Sequence, residues 1–261
     1  MRLVYKRTMP AAILARLVLL EARRGAMPWL AALAVLAGLS LAAFLSQVAV
    51  TESRALQTAL LAALLRACAV FLIAAHVAAS TVREINDRGL ELLLSLPLTR
   101  SSLYLGRLAG FALTGVLLAT VFAVPFLAWA PPAAVAAWGF SLACETVLVA
   151  AAALFFAMTL SNVVPALAAV GGLYLLGRSV DTIRAIAAGP LAEASLPNQI
   201  TRLAVDGVAL LLPPLDAATR TEWLLYGAPA PAQYATSLAA LAVYALLLVA
   251  AGLFDFHRRS A

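Results

Sequence analysis

Charge is scarce in this sequence. Only 11% of its 261 residues are Asp, Glu, Lys or Arg, against 64% hydrophobic ones, and the mean hydropathy is +1.00. A soluble domain is about 45–50% apolar with about a quarter of its residues charged. So few polar groups cannot cover the surface of a water-soluble globule of this length. Lipid can solvate the excess, and the length suits one membrane domain, 1–261, with no second large soluble one.

Other scarcities narrow the reading further. The two cysteines, Cys68 and Cys144, lie in apolar runs and read as small buried hydrophobes, implying neither a disulfide nor a metal site. There are two histidines, His76 and His257, and no second one lies near His76, so a metal site of protein ligands is not expected. His76 reads as a hydrogen-bonded packing residue. Lys6 is the sole lysine, in LVYKRTMP with no glycine before it. A P-loop needs a glycine-rich turn ending in lysine, because that lysine reaches the terminal phosphates. No ATP site, and no other cofactor, is therefore expected on this chain. No cleavable signal peptide is evident, since the first apolar run starts late and continues for a full span. The net charge of +6 lacks a basic stripe with interleaved aromatics, so no nucleic-acid partner is expected.

What the chain has is long apolar runs. Crossing a hydrocarbon core of about 30 Å takes about 20 apolar helical residues. Trp29–Val50, Ala59–Thr81, Leu103–Trp129, Ala133–Leu160 and Tyr234–Phe254 meet this. Val163–Gly177 is shorter, with three glycines, and alone could be re-entrant. The basic residues decide. Segment 1–27, the connection 82–102 with Arg107 just beyond it, and the C-terminus together hold twelve of the 18 Lys and Arg residues, and six spans put all three on one face. Short basic loops stay cytoplasmic, so the expectation is an all-α, six-span protein with both termini inside. Arginine in place of lysine and abundant alanine suggest a GC-rich bacterial genome, hence a bacterial cytoplasmic (inner) membrane.

Within 1–27, Ala11–Gly25 has helical apolar spacing, with Arg16, Arg23 and Arg24 mostly opposite Leu14, Leu17, Val18 and Glu21. It reads as an amphipathic helix lying along the cytoplasmic surface, and Pro28 suits the first turn of the first span. Between the fifth and sixth spans, 178–232 reads as an external loop. An interfacial or re-entrant helix is expected over Ile200–Leu212, stopped by Pro213-Pro214, then a second over Ala217–Tyr226 capped by Asp216. Two ionisable residues fall inside spans, Arg66 and Glu145, and such groups are costly in lipid. They could bridge two helices as a pair or line a substrate path, or Arg66 could snorkel outward.

The most specific stretch follows the second span: TVREINDRGLELLLSLPLTRSSLYLGRLAG, Thr81–Gly110. Gly89 supplies a helix stop, Leu90–Leu96 is a short apolar element ended by Pro97, and Thr99 or Ser101 caps the next helix. An apolar element flanked by charges outside a span needs a cover, either the membrane and its own bundle or a groove on a partner.

From Glu84 to Arg107 the pattern E-x-x-x-x-G-x-E-L-L-L-S-L-P-x-x-R-x-x-x-x-x-G-R resembles the signature loop of type-2 ATP-binding-cassette (ABC) permeases. The likeness is strongest to the exporter-type group that includes multicopper-maturation and sodium-efflux permeases. It covers about 30 residues in sequence pattern and the whole chain in layout. The resemblance implies that Gly89, Leu90, Glu91, Leu92, Leu93, Leu94, Leu96 and Pro97 belong to a coupling helix seated in a separate ATPase subunit. Glu84 matches that family's acidic position and Arg100 its basic one after the proline. Arg107 stands where lysine is common. Ala11–Gly25, with Arg16, Glu21, Arg23 and Arg24, would be the connecting helix. ATP and Mg would then sit on the ATPase subunit. The other implied partners are a second permease copy or paralogue, the bilayer and accessory periplasmic proteins. This chain would transport without being an enzyme itself. A secondary transporter or a membrane-embedded enzyme are the competing readings. A repeat between the halves would favour the former, and clustered carboxylates or a nucleophile–base pair the latter.

Overall fold

The computed structural model describes residues 11–48, 53–87, 99–187 and 196–258, with side chains given for all but residues 11, 48, 53, 187 and 196–202. The described residues form helices and turns. These are α1 (Ala11–Arg24), α2 (Met27–Val48), α3 (Ser53–Asn86), α4 (Arg100–Ala123), α5 (Pro132–Leu160) and α6 (Val163–Ala187), then α7 (Leu196–Leu210), α8 (Leu215–Ala218), α9 (Glu222–Tyr226) and α10 (Pro231–Arg258). Six of them, α2 to α6 and α10, are long and apolar enough to cross a membrane. The chain is an all-α, multi-pass membrane protein.

α5 is the axis of the bundle. It is apolar on all sides, and α3, α4, α6 and α10 pack around it. Its alanine run Ala150–Ala153 is buried throughout, which brings neighbouring helices close, as small residues do in membrane bundles. Ser161 ends α5 in the left-handed region at φ 51°, and the Asn162 side chain accepts from the Val164 amide at 3.1 Å. That polar two-residue turn launches α6 directly. α2 and α10 sit at the periphery. Leu33, Leu36 and Phe44 of α2, and Leu246, Leu247 and Phe254 of α10, are exposed, as expected of faces that lipid solvates.

Several boundaries move from the sequence expectation. α6 runs ten residues beyond Gly177, through Arg178, Asp181 and Arg184, so it has full spanning length. The stretch before the last span therefore starts after Ala187, not at Arg178. Its first helix is Leu196–Leu210. The second breaks at Thr219-Arg220 into α8 and α9, and Asp216 lies in the first turn of α8 while Pro214 holds the cap position without a side-chain bond. The third span is helical to Ala123 and then tightens to a 3₁₀ turn over Val124–Ala128; Pro125 there has no N–H to continue an α-helix. The second span belongs to a 34-residue helix, α3. At 1.5 Å per residue it is about 51 Å long, well over the hydrocarbon thickness. With α3 ending at Asn86 and α4 starting at Arg100, the connection is shorter than 82–102.

α1 departs from a helix merely lying on a surface. Its Leu14, Val18 and Ala22, spaced by four, are buried, while Ile13 and Leu17 stay exposed. The buried row seats on α4 at Gly110, where a Cβ would come within 2.6 Å of Val18 Cβ and 2.9 Å of the Ala15 carbonyl oxygen. Gly110 thus permits direct backbone contact between the two helices.

Candidate functional site

Among the described residues polar groups gather at two places along α3, one at its end near Asn86 and one about its middle at Arg66. The first lies where α3 runs into residues 88–98. Glu21 of α1 accepts from Arg83 Nη2 at 2.9 Å and from Ser80 Oγ at 3.0 and 3.1 Å. Arg107 of α4 forms an ion pair with Glu84, its side chain only 4% exposed. The Arg107 guanidinium lies 5.8 Å from the Phe111 ring centroid, within cation–π range. His76 meets the same ring edge-on at 5.8 Å. Its packing matches expectation, but its buried Nε2 has no hydrogen-bond partner among the described residues. These contacts tie α1, α3 and α4 together around a cleft of about 360 Å³. Leu14, Leu17 and Val18 make its apolar wall, and Glu21, Glu84, Asp87 and Arg107 its charged one.

Of the expected docking residues, Glu84 is therefore paired and half-buried, and Arg100 opens α4 directly after Thr99, whose Oγ1 accepts from the Ser102 amide at 3.3 Å. Gly89, Leu90, Glu91, Leu92, Leu93, Leu94, Leu96 and Pro97 lie outside the described residues. In α1, Arg16, Arg23 and Arg24 are exposed and Glu21 turns to α3. Sequence reasoning missed Arg107 as the partner of Glu84, and Ser80 with Arg83 as the partners of Glu21. The one available signal was that Glu21 is the only acid before residue 52.

The second gathering lies about midway along α3, beneath α8 and α9. Arg66 Nε is 3.8 Å from Glu145 Oε2, with side chains 6% and 0% exposed. That separation is an ion contact beyond hydrogen-bond length. The structure thus brings the two intramembrane residues together, and Arg66 turns into the bundle instead of outward. Arg66 Nη2 also donates to Thr221 Oγ1 at 3.3 Å, and its guanidinium carbon lies 5.9 Å from the Trp138 ring centroid. Tyr174 of α6 lies against the same carboxylate. One turn further along α6, Arg178 donates to the Leu215 carbonyl at 3.3 Å, to the Thr219 carbonyl at 3.0 Å and to Thr219 Oγ1. Residues from α3, α5, α6 and the α8–α9 segment therefore share one buried polar cluster. Arg178, Tyr174, Thr219 and Thr221 were not anticipated.

Elsewhere, Arg184 pairs with Asp206 at 3.1 Å and pins α7 to α6. Among the described residues no three His, Cys, Asp or Glu side chains are grouped as metal ligands would be. Cys68 and Cys144 are free, half-buried thiols. No family model matches the sequence, and no curated protein does.

Proposed function

We propose that this chain is the membrane-spanning permease subunit of an ATP-binding-cassette transporter. A separate ATPase subunit would dock on Leu90–Leu96 and supply the energy of ATP hydrolysis. The observation that carries this reading is the Glu84–Arg107 sequence pattern, whose two ends meet as an ion pair. The pair clamps α3 to α4 on either side of residues 88–98, and Glu21 with Arg83 clamps α1 to the same base. A force applied to the connecting segment would thus reach three helices at once. No P-loop is present to let the chain hydrolyse ATP itself. The logic is two-state: ATP favours one arrangement of the ATPases, and firm docking biases the permease between inward- and outward-open forms. Two permease and two ATPase subunits would form the working unit, in a bacterial cytoplasmic membrane with both termini inside.

Co-expression with an ABC-type ATPase encoded beside it tests the proposal. The tagged chain should retain the ATPase through purification, and Leu92→Asp, Leu93→Asp and Leu94→Asp together should release it and abolish transport. A chain that captures no ATPase, and whose triple variant functions normally, would sink the reading.

A further inference from the structure

The segment Leu215–Tyr226 has little reason to hold its shape alone. α8 is four residues and α9 five, far below the roughly 12–15 that an isolated helix needs. Breakers bracket it: Pro213-Pro214 on one side, and on the other Gly227 at φ 103°, a conformation that only glycine adopts without strain. Yet Leu215, Ala218 and Thr219 are fully buried, and Trp223 and Leu224 nearly so. Its order comes from docking, and its polar attachments go to two arginines on different helices. Arg178 of α6 holds Leu215 and Thr219, and Arg66 of α3 holds Thr221. Gly177 adds a close fit, since a Cβ there would lie 2.9 Å from the Pro213 carbonyl oxygen.

We propose that Leu215–Tyr226 is a hinged strap, latched by Arg178 and Arg66, that lifts as a unit to uncover the Arg66–Glu145–Tyr174 cluster. Charged groups inside a span are expensive in lipid, and they are found facing bundle interiors, where they pair, or water-filled cavities. With the strap down, its oxygens accept from Arg178 and from Arg66 Nη2, while Arg66 Nε and the Glu145 oxygens are buried without a hydrogen bond among the described residues. With it raised, water takes those positions and the cluster lines an open vestibule at this end of the bundle. A segment held by docking, with weak internal helicity and breakers at both ends, is the kind of unit that opens locally while the core stays folded. The proposal needs no ATPase and stands apart from the transporter reading.

Thiol accessibility of the full chain in its membrane tests it. Cys68 and Cys144 are replaced by alanine, and Ala218→Cys places a reporter beneath the strap at a position that supplies no side-chain latch atom. Membrane fragments open to both faces are exposed to an impermeant maleimide, so orientation does not matter. Labelling should be slow in this background. It should speed up about tenfold or more when Arg178→Lys or Thr221→Val removes a charged hydrogen bond. A second reporter, Ala157→Cys, equally buried near the other end of α5, should stay slow throughout. Equal rates at position 218 in all backgrounds would overturn the strap. So would parallel acceleration at 157, which would mean that the whole bundle had loosened. If Arg178→Lys fails to fold, Thr221→Val alone decides, because it removes an acceptor and leaves no buried charge bare.

Discussion

Arg66 and Arg107, each with almost no solvent contact, face one carboxylate apiece, Glu145 and Glu84. A guanidinium in such a place depends on its counter-ion, because breaking a buried pair leaves a bare charge whereas removing both partners leaves none. Glu84 is 24% exposed, so some solvent screening applies. Glu84→Leu should cost about 2 kcal/mol of stability, below the value for a fully buried pair, and Glu84→Leu with Arg107→Met should recover most of that loss. Thermal unfolding in detergent would check it, and a double variant no better than the single would refute the coupling. Glu145 and Arg66 could be noticed in the sequence because each interrupts an apolar run. Their neighbours could not: Thr221 lies 155 residues from Arg66, and a lone threonine in a loop gives no sign that it will accept from an arginine.

At the scale of elements, the interface of α1 with α4 rests on one missing side chain. Gly110→Ala would press a methyl group against Val18 and the Ala15 carbonyl, and overpacking of this kind costs about 1–3 kcal/mol. The expected result is looser docking of α1, read as faster tryptic cleavage after the exposed Arg16, with α2 to α10 still folded. Unchanged cleavage would show that the close approach at Gly110 is not what holds α1 in place. Helix periodicity made α1 legible, since Leu14, Val18 and Ala22 fall on one stripe, but periodicity does not say what the stripe meets. α6 was obscured for a related reason. Its hydropathy falls at Arg178, Asp181 and Arg184, yet Arg178 finds a partner in Thr219 and Arg184 in Asp206, both later in the chain, while Asp181 pairs with Arg184 within the helix. Their helix therefore continues where the local sequence argues for an end.

At the scale of the molecule, the six crossings were readable because composition alone forbids water as the solvent, and run length then counts the spans. The proposed orientation rests on the arginines, and it predicts opposite accessibility at the two ends. Tyr226→Cys, at an 86% exposed position, should label from outside intact cells, whereas Arg24→Cys should label only after permeabilisation. The reverse pattern would invert the topology. The unbroken α3 has a mechanical consequence. Glu84 and Arg66 are 18 residues apart on one helix, about 27 Å at 1.5 Å per residue. Over that length a tilt of about 2° displaces the far end by about 1 Å, taking the 3.3 Å Arg66–Thr221 contact beyond hydrogen-bond length. A helix this long and unbroken would act as a lever, so that a small tilt at the Glu84 end would be felt by a single bond at Arg66.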